Sequence, residues 1–325
     1  MNLQTLIPLN KQASNLIDYN SNILLFGSCF SEHIGDKFKY FKFQATINPF
    51  GILFHPLAIE NLITRAIHKN YYSATDLHFH NEQWCCLDAH SKLNSISKND
   101  LVQNLNTQID STNKQLKTAT HIVITLGTSW VYRHMVLDTV VANCHKLPQK
   151  QFLKELRSVN DISKSLERII ALVKRVNPKV TFVFTVSPVR HIKDGFIENM
   201  QSKSHLITAI HSVLNKKPSI KNRQLFYFPS YEIMMDELRD YRFYNADMLH
   251  PNTIAVDYIW EKFKMVWCSK DTTETMHKVA AIQRDLMHKP FNSNSEAHKK
   301  FKLQLQTKIE NLQKEHSQFK TFYKP

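Results

Sequence analysis

Residues 22–35 read Asn22-Ile23-Leu24-Leu25-Phe26-Gly27-Ser28-Cys29-Phe30-Ser31-Glu32-His33-Ile34-Gly35. The continuous apolar run at 23–26 is typical of a strand that is buried on both faces of a parallel sheet. Phe30, Ile34 and Phe38 then recur at helical spacing, so we expect a helix that begins near Ser28. The stretch therefore predicts a strand, a tight turn at Gly27-Ser28 and a helix.

The rest of the chain alternates between predicted strands and predicted helices. Apolar runs predict strands at 121–126, 180–186 and 225–228, and an alternating pattern predicts one at 41–47. Helical periodicity predicts helices at 56–68, 100–117, 149–176, 199–214 and 253–267. Such alternation indicates βαβ units and hence a parallel α/β sheet with helices on both faces. Residues 71–95 show neither period and are predicted to be irregular.

The C-terminal part of the chain has a different pattern. Val279, Ile282 and Leu286 indicate one amphipathic helix, a break follows at 290–295, and the spacing of Phe301 and Leu305 indicates a second helix. We therefore expect an α/β domain at 1–270 and a helical extension at 271–325. The extension is expected to pack on the sheet domain or on another subunit.

Composition narrows the class of protein. The chain has 325 residues, of which 42% are hydrophobic, and no apolar run of ~18 residues that would predict a membrane span. The five cysteines include no C-x-x-C pair, and residues 1–20 lack the pattern of a secretory signal, so we expect a cytoplasmic protein without disulfides. We attribute the net charge of +14 to solvated helix faces rather than to nucleic-acid binding. Neither a metal centre nor a cofactor is predicted.

Polar residues follow several of the predicted strands. Gly27-Ser28, the turn at 48–51, residues 127–130 and residues 187–191 all stand at carboxyl ends. In a doubly wound sheet the ligand crevice lies beyond those ends, so these residues are expected to meet there.

Asp247 and His250 stand three residues apart in the segment after the last strand. A carboxylate at this spacing can orient an imidazole, whose other nitrogen then serves as a general base. The alternative is that Asp247 is a turn residue, His250 a loop histidine and Ser28 a helix cap. Ser28 follows the first predicted strand, and Asp247 and His250 follow the last one. This placement in one sheet favours a crevice that all three residues share.

The sequence resembles the GSCFA family. The motifs that carry the resemblance are Gly27-Ser28-Cys29-Phe30-Ser31, Asn48-Pro49-Phe50-Gly51, Asn143-Cys144-His145-Lys146, Thr185-Val186-Ser187-Pro188-Val189-Arg190, Tyr227-Phe228-Pro229-Ser230-Tyr231-Glu232 and Asp247-Met248-Leu249-His250-Pro251. This bacterial family is similar to the SGNH (GDSL-like) hydrolases, which are esterases and acyl hydrolases. The resemblance implies a flavodoxin-like three-layer α/β/α fold with five parallel strands in the order 2-1-3-4-5.

The resemblance also implies roles for individual residues. Ser28 would be the nucleophile and its N–H an oxyanion donor, Gly51 would supply a second N–H, and Asp247 and His250 would complete a triad. The SGNH motif G-x-N-D is replaced here by Gly127-Thr128-Ser129-Trp130. A hydroxyl of Thr128 or Ser129, or the side chain of Asn48, would then have to replace the missing asparagine as an oxyanion donor.

Cys29 is the rival nucleophile, because a thiol is more reactive and a helix N-terminus lowers its pKa. We prefer Ser28, since the resemblance aligns it with the SGNH serine and the next side chain is expected to point into the helix packing. Arg190, His191 and Arg242 are predicted to bind an anionic or sugar group, with structural salt bridges as the alternative.

The sequence thus predicts a serine hydrolase or acyltransferase that acts through an acyl-enzyme on a small-molecule or carbohydrate O-acyl ester. The alternative is a catalytically weak protein that binds a carbohydrate or an anion in the same crevice, which the missing asparagine would favour. Nucleic-acid binding through the basic surface is a third and weaker reading.

Overall fold

A computed structural model of the chain describes residues 4–216, 224–316, 318, 319 and 322. The strands are β1 (Asn22–Gly27), β2 (Gln44–Ile47), β3 (Leu77–His80), β4 (Gln83–Cys86), β5 (His121–Leu126), β6 (Trp130–His134), β7 (Thr139–Val141), β8 (Phe152–Leu156), β9 (Thr181–Val186) and β10 (Leu225–Tyr227). The helices are α1 (Cys29–Tyr40), α2 (Pro56–His68), α3 (Lys98–Thr118), α4 (Val159–Val176), α5 (Phe196–Asn215), α6 (Ser230–Glu232), α7 (Thr253–Trp267), α8 (Lys270–Met287) and α9 (Glu296–Glu315). A π-helical turn, Ile233–Glu237, continues α6.

The central sheet contains five strands in the spatial order β10-β9-β5-β1-β2, and all neighbouring pairs are parallel. Numbered along the chain, this is the flavodoxin-like order 2-1-3-4-5, which confirms the predicted fold class. Because β1 lies between β2 and β5, the reversal of strand order falls at β1. The carboxyl end of β1 therefore opens onto the crevice where doubly wound sheets bind ligands.

Successive side chains of β1 point to opposite faces of the sheet. Both faces are buried, which explains the continuous apolar run of this strand. Leu24 and Phe26 join a core that includes side chains of α2, α3, α4 and α5. Ile23 and Leu25 join a second core with α1, α7, α8 and α9. The structure is thus a three-layer α/β/α arrangement, and burial on both faces requires apolar residues at consecutive strand positions.

Two sequence predictions about secondary structure were wrong. The helix predicted at 149–176 begins only at Val159, and β8 before it pairs with β6 in an antiparallel β7-β6-β8 sheet. The region at 71–95, predicted to be irregular, contains the antiparallel hairpin of β3 and β4. Both errors have one cause, because these short strands are stabilised by partners that a local periodicity does not reveal.

The C-terminal helices pack on the sheet domain. Met276, Val279 and Ile282 of α8 are buried in the core that α1 and α7 also line. The side chain of Gln283 donates to the carbonyl of Tyr40 at 3.2 Å, which ties α8 to the end of α1. Of the two arrangements expected from the sequence, packing on the sheet domain is the one observed. Among the described helices, none has both the length and the apolar character needed to cross a bilayer.

Because α8 completes this core, we expect Val279→Asp to destabilise the whole domain rather than only the C-terminal helices. A carboxylate at a side chain with 0% exposure should reduce the free energy of unfolding by about 3 kcal/mol or more. Urea unfolding followed by the fluorescence of Trp260 and Trp267 in α7 measures the effect. The exposed neighbour His277→Asp is the control. An unchanged transition in Val279→Asp would contradict the shared core.

Candidate active site

The turn after β1 is constrained by the neighbouring strand. Gly27 has φ = +137°, and a Cβ atom at this position would lie 2.1 Å from the carbonyl oxygen of Thr125 in β5. The N–H of Ser28 donates to the same oxygen at 3.1 Å, so residue 28 still belongs to the sheet. Helix α1 consequently begins at Cys29. Only a glycine allows the two backbones to approach so closely.

This geometry gives Ser28 and Cys29 different environments. The Ser28 side chain has 0% exposure, and its Oγ has neither a capping role nor any other hydrogen-bond partner within the described chain. Cys29 is partly exposed. The sheet hydrogen bond keeps residue 28 inside and makes residue 29 the first of the helix, where Cys29 is more accessible than Ser28. That the Cys29 side chain points into the helix packing stays a prediction. The expected role of the Ser28 N–H as a free oxyanion donor is also corrected, since that N–H is already bonded to β5.

The thiol of Cys29 lies at the N-terminus of α1. Burial raises its pKa, while the backbone N–H groups of Phe30 and Cys29 and the charge of Lys203 act in the opposite direction. A base is therefore needed to generate the thiolate near neutral pH.

The turn after β2 carries Asn48 and Gly51. The Asn48 Oδ1 accepts from the N–H of Gly27 at 2.9 Å, which fixes the amide beside the start of α1. Its Nδ2 is buried and has no partner among the described residues. The N–H of Gly51 donates to the carbonyl of Asn48 at 2.7 Å, so it closes the turn and is not the free donor that the sequence led us to expect. Asn48 remains the available donor at this position.

The hydroxyls of Thr128 and Ser129 are engaged in packing β6 against α5. Thr128 Oγ1 pairs with Ser202 Oγ at 3.0 Å and accepts from the N–H of Trp130 at the same distance. Ser129 Oγ donates to the carbonyl of Ser202 at 3.3 Å and is fully buried. These bonds favour Asn48 over either hydroxyl as the substitute for the SGNH asparagine.

Asp247 and His250 form a hydrogen-bonded pair. Asp247 Oδ2 lies 2.6 Å from His250 Nδ1, and Oδ1 accepts from the backbone N–H groups of Leu249 at 2.9 Å and of His250 at 3.0 Å. These N–H groups hold the pKa of Asp247 down at about 2, with the imidazole contributing further. The carboxylate is thus ionised at neutral pH and holds the imidazole so that Nε2 is presented outward.

The loop that carries this pair is attached to the segment after β9. The N–H of Arg190 donates to the carbonyl of Leu249 at 3.2 Å, which links the loop to the segment after β9. Burial lowers the pKa of His33 in α1 and of His191, and His250 contributes to both shifts. His250 is therefore within electrostatic range of His33 in α1, and its loop is bonded to the segment after β9. No hydrogen bond joins it to Ser28, whose Oγ is unbonded in the described structure.

Arg190, His191 and Arg242 have different surroundings. Burial lowers the pKa of His191 to about 3, with Lys203 and His250 contributing, so its imidazole is neutral, and its buried Nε2 has no partner among the described groups. The buried Nε of Arg190 also lacks an acceptor there. Arg242 is paired with Asp240 at 2.8 Å on the surface, in agreement with the salt-bridge alternative.

Lys203 was not identified from the sequence. It lies in α5, is 1% exposed, and its Nζ donates to the carbonyls of Gly127 and Ser187, each at 2.8 Å. These two carbonyls follow β5 and β9, so one ammonium group joins both strand ends. The sequence pattern that could have revealed Lys203 is its helical spacing to the apolar Leu206 and Ile210, which places all three on the buried face of α5.

Asn199, one turn before Lys203, is a second residue that the sequence analysis missed. Its Oδ1 accepts from the N–H of His191 at 2.9 Å, while its Nδ2 is buried without a partner in the described chain. Buried side-chain atoms without partners thus cluster at the carboxyl ends of the sheet: Ser28 Oγ, Asn48 Nδ2, Arg190 Nε, His191 Nε2 and Asn199 Nδ2. Because most buried polar atoms in proteins are hydrogen-bonded, such a cluster indicates a ligand site.

The sequence matches the family described as "GSCFA family" over residues 22–263. The chain belongs to the GSCFA family. The GSCFA match covers every strand of the central sheet and the whole candidate site. A second match, to "GSCFA domain protein, C-terminal domain", covers residues 279–322 and begins within α8. No curated protein matches the sequence.

Because Lys203 is buried, we expect the stability of this GSCFA protein to depend on pH. Burial lowers the pKa of Lys203 to about 7, against about 10.5 in the unfolded chain. Between these values the unfolded state binds the proton more tightly, so stability should rise with pH, by at most about 1.4 kcal/mol per unit. Lys203→Met removes this contribution. The free energy of unfolding of the wild type minus that of Lys203→Met should increase by about 2 kcal/mol from pH 7 to pH 9. A difference that stays constant would show that Lys203 does not titrate in this range.

Proposed function

We propose that this GSCFA protein is an acyl-ester hydrolase or acyltransferase that works through an acyl-enzyme. The observation that carries the proposal is the 2.6 Å Asp247–His250 pair, held by a loop that is bonded to the segment after β9, at the carboxyl ends of the central strands. A carboxylate-oriented imidazole beside a nucleophile at a helix N-terminus is the arrangement that acyl transfer requires. The cluster of unpartnered polar atoms at the same edge supports a ligand-binding role.

The nucleophile that the geometry supports best is Cys29 rather than Ser28. The Ser28 Oγ is fully buried and lies in no hydrogen bond, whereas the Cys29 thiol is partly exposed and lies at the first turn of α1. The orphan N–H groups of a helix N-terminus stabilise a thiolate, and the electrostatic contribution of Lys203 acts in the same direction. We therefore replace the serine of the sequence-based hypothesis with the adjacent thiol.

The reaction follows from these groups. His250 Nε2 takes the thiol proton as Cys29 Sγ attacks the ester carbonyl, and the imidazolium then protonates the leaving alkoxide, which yields a thioester and an alcohol. Water, or an acceptor hydroxyl, next gives its proton to His250 and attacks the thioester. Collapse of the second intermediate returns the thiol and releases the acid or the transferred ester. Asp247 stabilises the imidazolium in both halves of the reaction.

Two donors are available to the oxyanion of the tetrahedral intermediates. The Asn48 Nδ2 is unpartnered, and its amide is oriented by the bond from Gly27 to Oδ1. The N–H of Cys29, as the first residue of α1, has no intrahelical partner. Donors of this kind typically contribute about 10²–10³ in rate each. O-acyl esters of small molecules or carbohydrates are the substrate class that the resemblance to SGNH hydrolases suggests. The five free thiols support a reducing compartment such as the cytoplasm.

We expect His250→Gln to reduce the hydrolysis of 4-nitrophenyl acetate by about 10²–10⁴, because it removes the general base but keeps a side chain of similar length. Asp247→Asn should give a smaller but clear loss, since the imidazole loses its orienting charge. His277→Gln, an exposed substitution in α8, is the control. Initial rates at saturating ester measure the effect. Full activity in His250→Gln would contradict the proposed base.

The choice of nucleophile is tested by three matched variants. Cys29→Ala and Cys29→Ser should both lose activity by at least about 10²-fold, whereas Ser28→Ala should keep it and be no less stable, because it removes a buried hydroxyl without a partner. Mass spectrometry of the protein quenched in acid should locate the acyl group on Cys29. An acyl group on Ser28, or activity retained in Cys29→Ala, would restore the serine hypothesis.

The second candidate is a binding protein that uses the same crevice with little or no catalysis. The absence of the G-x-N-D asparagine and the buried Lys203 favour it. If the wild type neither hydrolyses the esters nor accumulates an acyl-enzyme, the protein would be a binding protein rather than an enzyme.

A further inference from the structure

A cavity of about 390 Å³ lies directly beside the Asp247–His250 loop. Asp247, Met248 and Leu249 form one of its walls, so a group bound in it stands beside the carboxylate that orients the proposed general base. The volume falls within the ~300–1,000 Å³ that is common for small-molecule sites. Its position makes it the natural place for the part of the substrate that determines specificity.

The lining of the cavity is mainly apolar. It includes Phe196, Met234, Met235, Tyr241, Tyr244 and Met248. Phe196, Tyr241 and Met248 are 65%, 74% and 49% exposed, so the cavity presents apolar surface to a ligand. Methionine and aromatic side chains adapt to alkyl or aryl groups and supply few of the hydrogen bonds that a sugar would need. The walls therefore favour an apolar group over a carbohydrate.

Four charged residues line this cavity, and three of them are bonded to another titratable side chain. Arg239 is bonded to Asp236 at 2.6 Å, Asp240 to Arg242 at 2.8 Å, and Asp247 to His250 at 2.6 Å.

Arg190 is the exception. Its guanidinium forms no salt bridge within the described chain, and its buried Nε has no acceptor. The nearby ammonium of Lys203, which is also without a carboxylate partner there, adds to the positive potential. The half-buried guanidinium of Arg190 interacts with the Tyr244 hydroxyl but has no anionic partner among the described residues, and a carboxylate from a ligand would supply one.

We propose that the cavity binds an apolar acyl group that ends in a carboxylate, and that Arg190 pairs with this carboxylate. The substrate would thus be a half-ester of an aliphatic or aromatic dicarboxylic acid, with its ester carbonyl at His250 and its free acid at Arg190. This inference rests on the proposed hydrolase function for the ester, but the binding of the dicarboxylate itself does not depend on turnover.

The kinetic test compares mono-(4-nitrophenyl) adipate with its methyl ester, which has the same chain without the charge. In the wild type, kcat/KM for the acid should exceed that for the methyl ester at least about tenfold, because a charge-assisted hydrogen bond contributes that much or more. In Arg190→Gln the ratio should fall to about one. Arg190→Lys should keep part of the preference, since it retains the charge but loses the planar fork. Arg239→Gln, whose charge is already countered by Asp236, should keep the wild-type ratio.

Calorimetry with free adipate and dimethyl adipate provides a readout that is independent of catalysis. The wild type and Arg239→Gln should bind adipate in preference to the diester, and Arg190→Gln should lose this preference while its thermal unfolding remains cooperative. If no ester is hydrolysed but adipate binds through Arg190, the hydrolase proposal fails and the anion site stands. A wild type that does not prefer the acid in either measurement, or a preference unaffected by Arg190→Gln, would overturn the inference.

Discussion

The contact between Gly27 and the carbonyl of Thr125 determines the geometry of the candidate site. At this point β1 and β5 lie too close for any side chain on residue 27, and the Ser28 N–H extends the sheet pairing by one residue. The first residue of α1 is therefore Cys29, which is partly exposed, whereas Ser28 is fully buried. A single backbone hydrogen bond thus gives two adjacent residues different exposure.

The crevice holds polar groups that the fold does not satisfy. Each buried donor or acceptor without a partner destabilises the folded state by about 1–3 kcal/mol, and here such atoms gather around Asn48, His191 and Asn199. The two apolar cores on either side of the sheet supply the stability that offsets this cost. The result is a site whose donors are held in place before a ligand arrives, which would lower the reorganisation energy of the proposed reaction.

Lys203 shows how the interior supports this edge. Its Nζ donates hydrogen bonds to two carbonyl oxygens that follow β5 and β9. The loops after these strands are therefore held by a side chain of the helix layer. These two hydrogen bonds from one side chain therefore link the segments that follow two adjacent parallel strands. Burial and the nearby charge of Arg190 both lower the pKa of Lys203.

The sequence by itself determined the parallel sheet, its strand order through the family resemblance, and the Asp247–His250 pair, because these depend on local periodicity and on residues close together in the chain. It did not determine the β7-β6-β8 sheet, the roles of Lys203 and Asn199, or the different exposure of Ser28 and Cys29. These depend on pairing and burial between segments that are distant in sequence. Only the tertiary structure brings such segments together, and so it alone decided which side chains face the crevice.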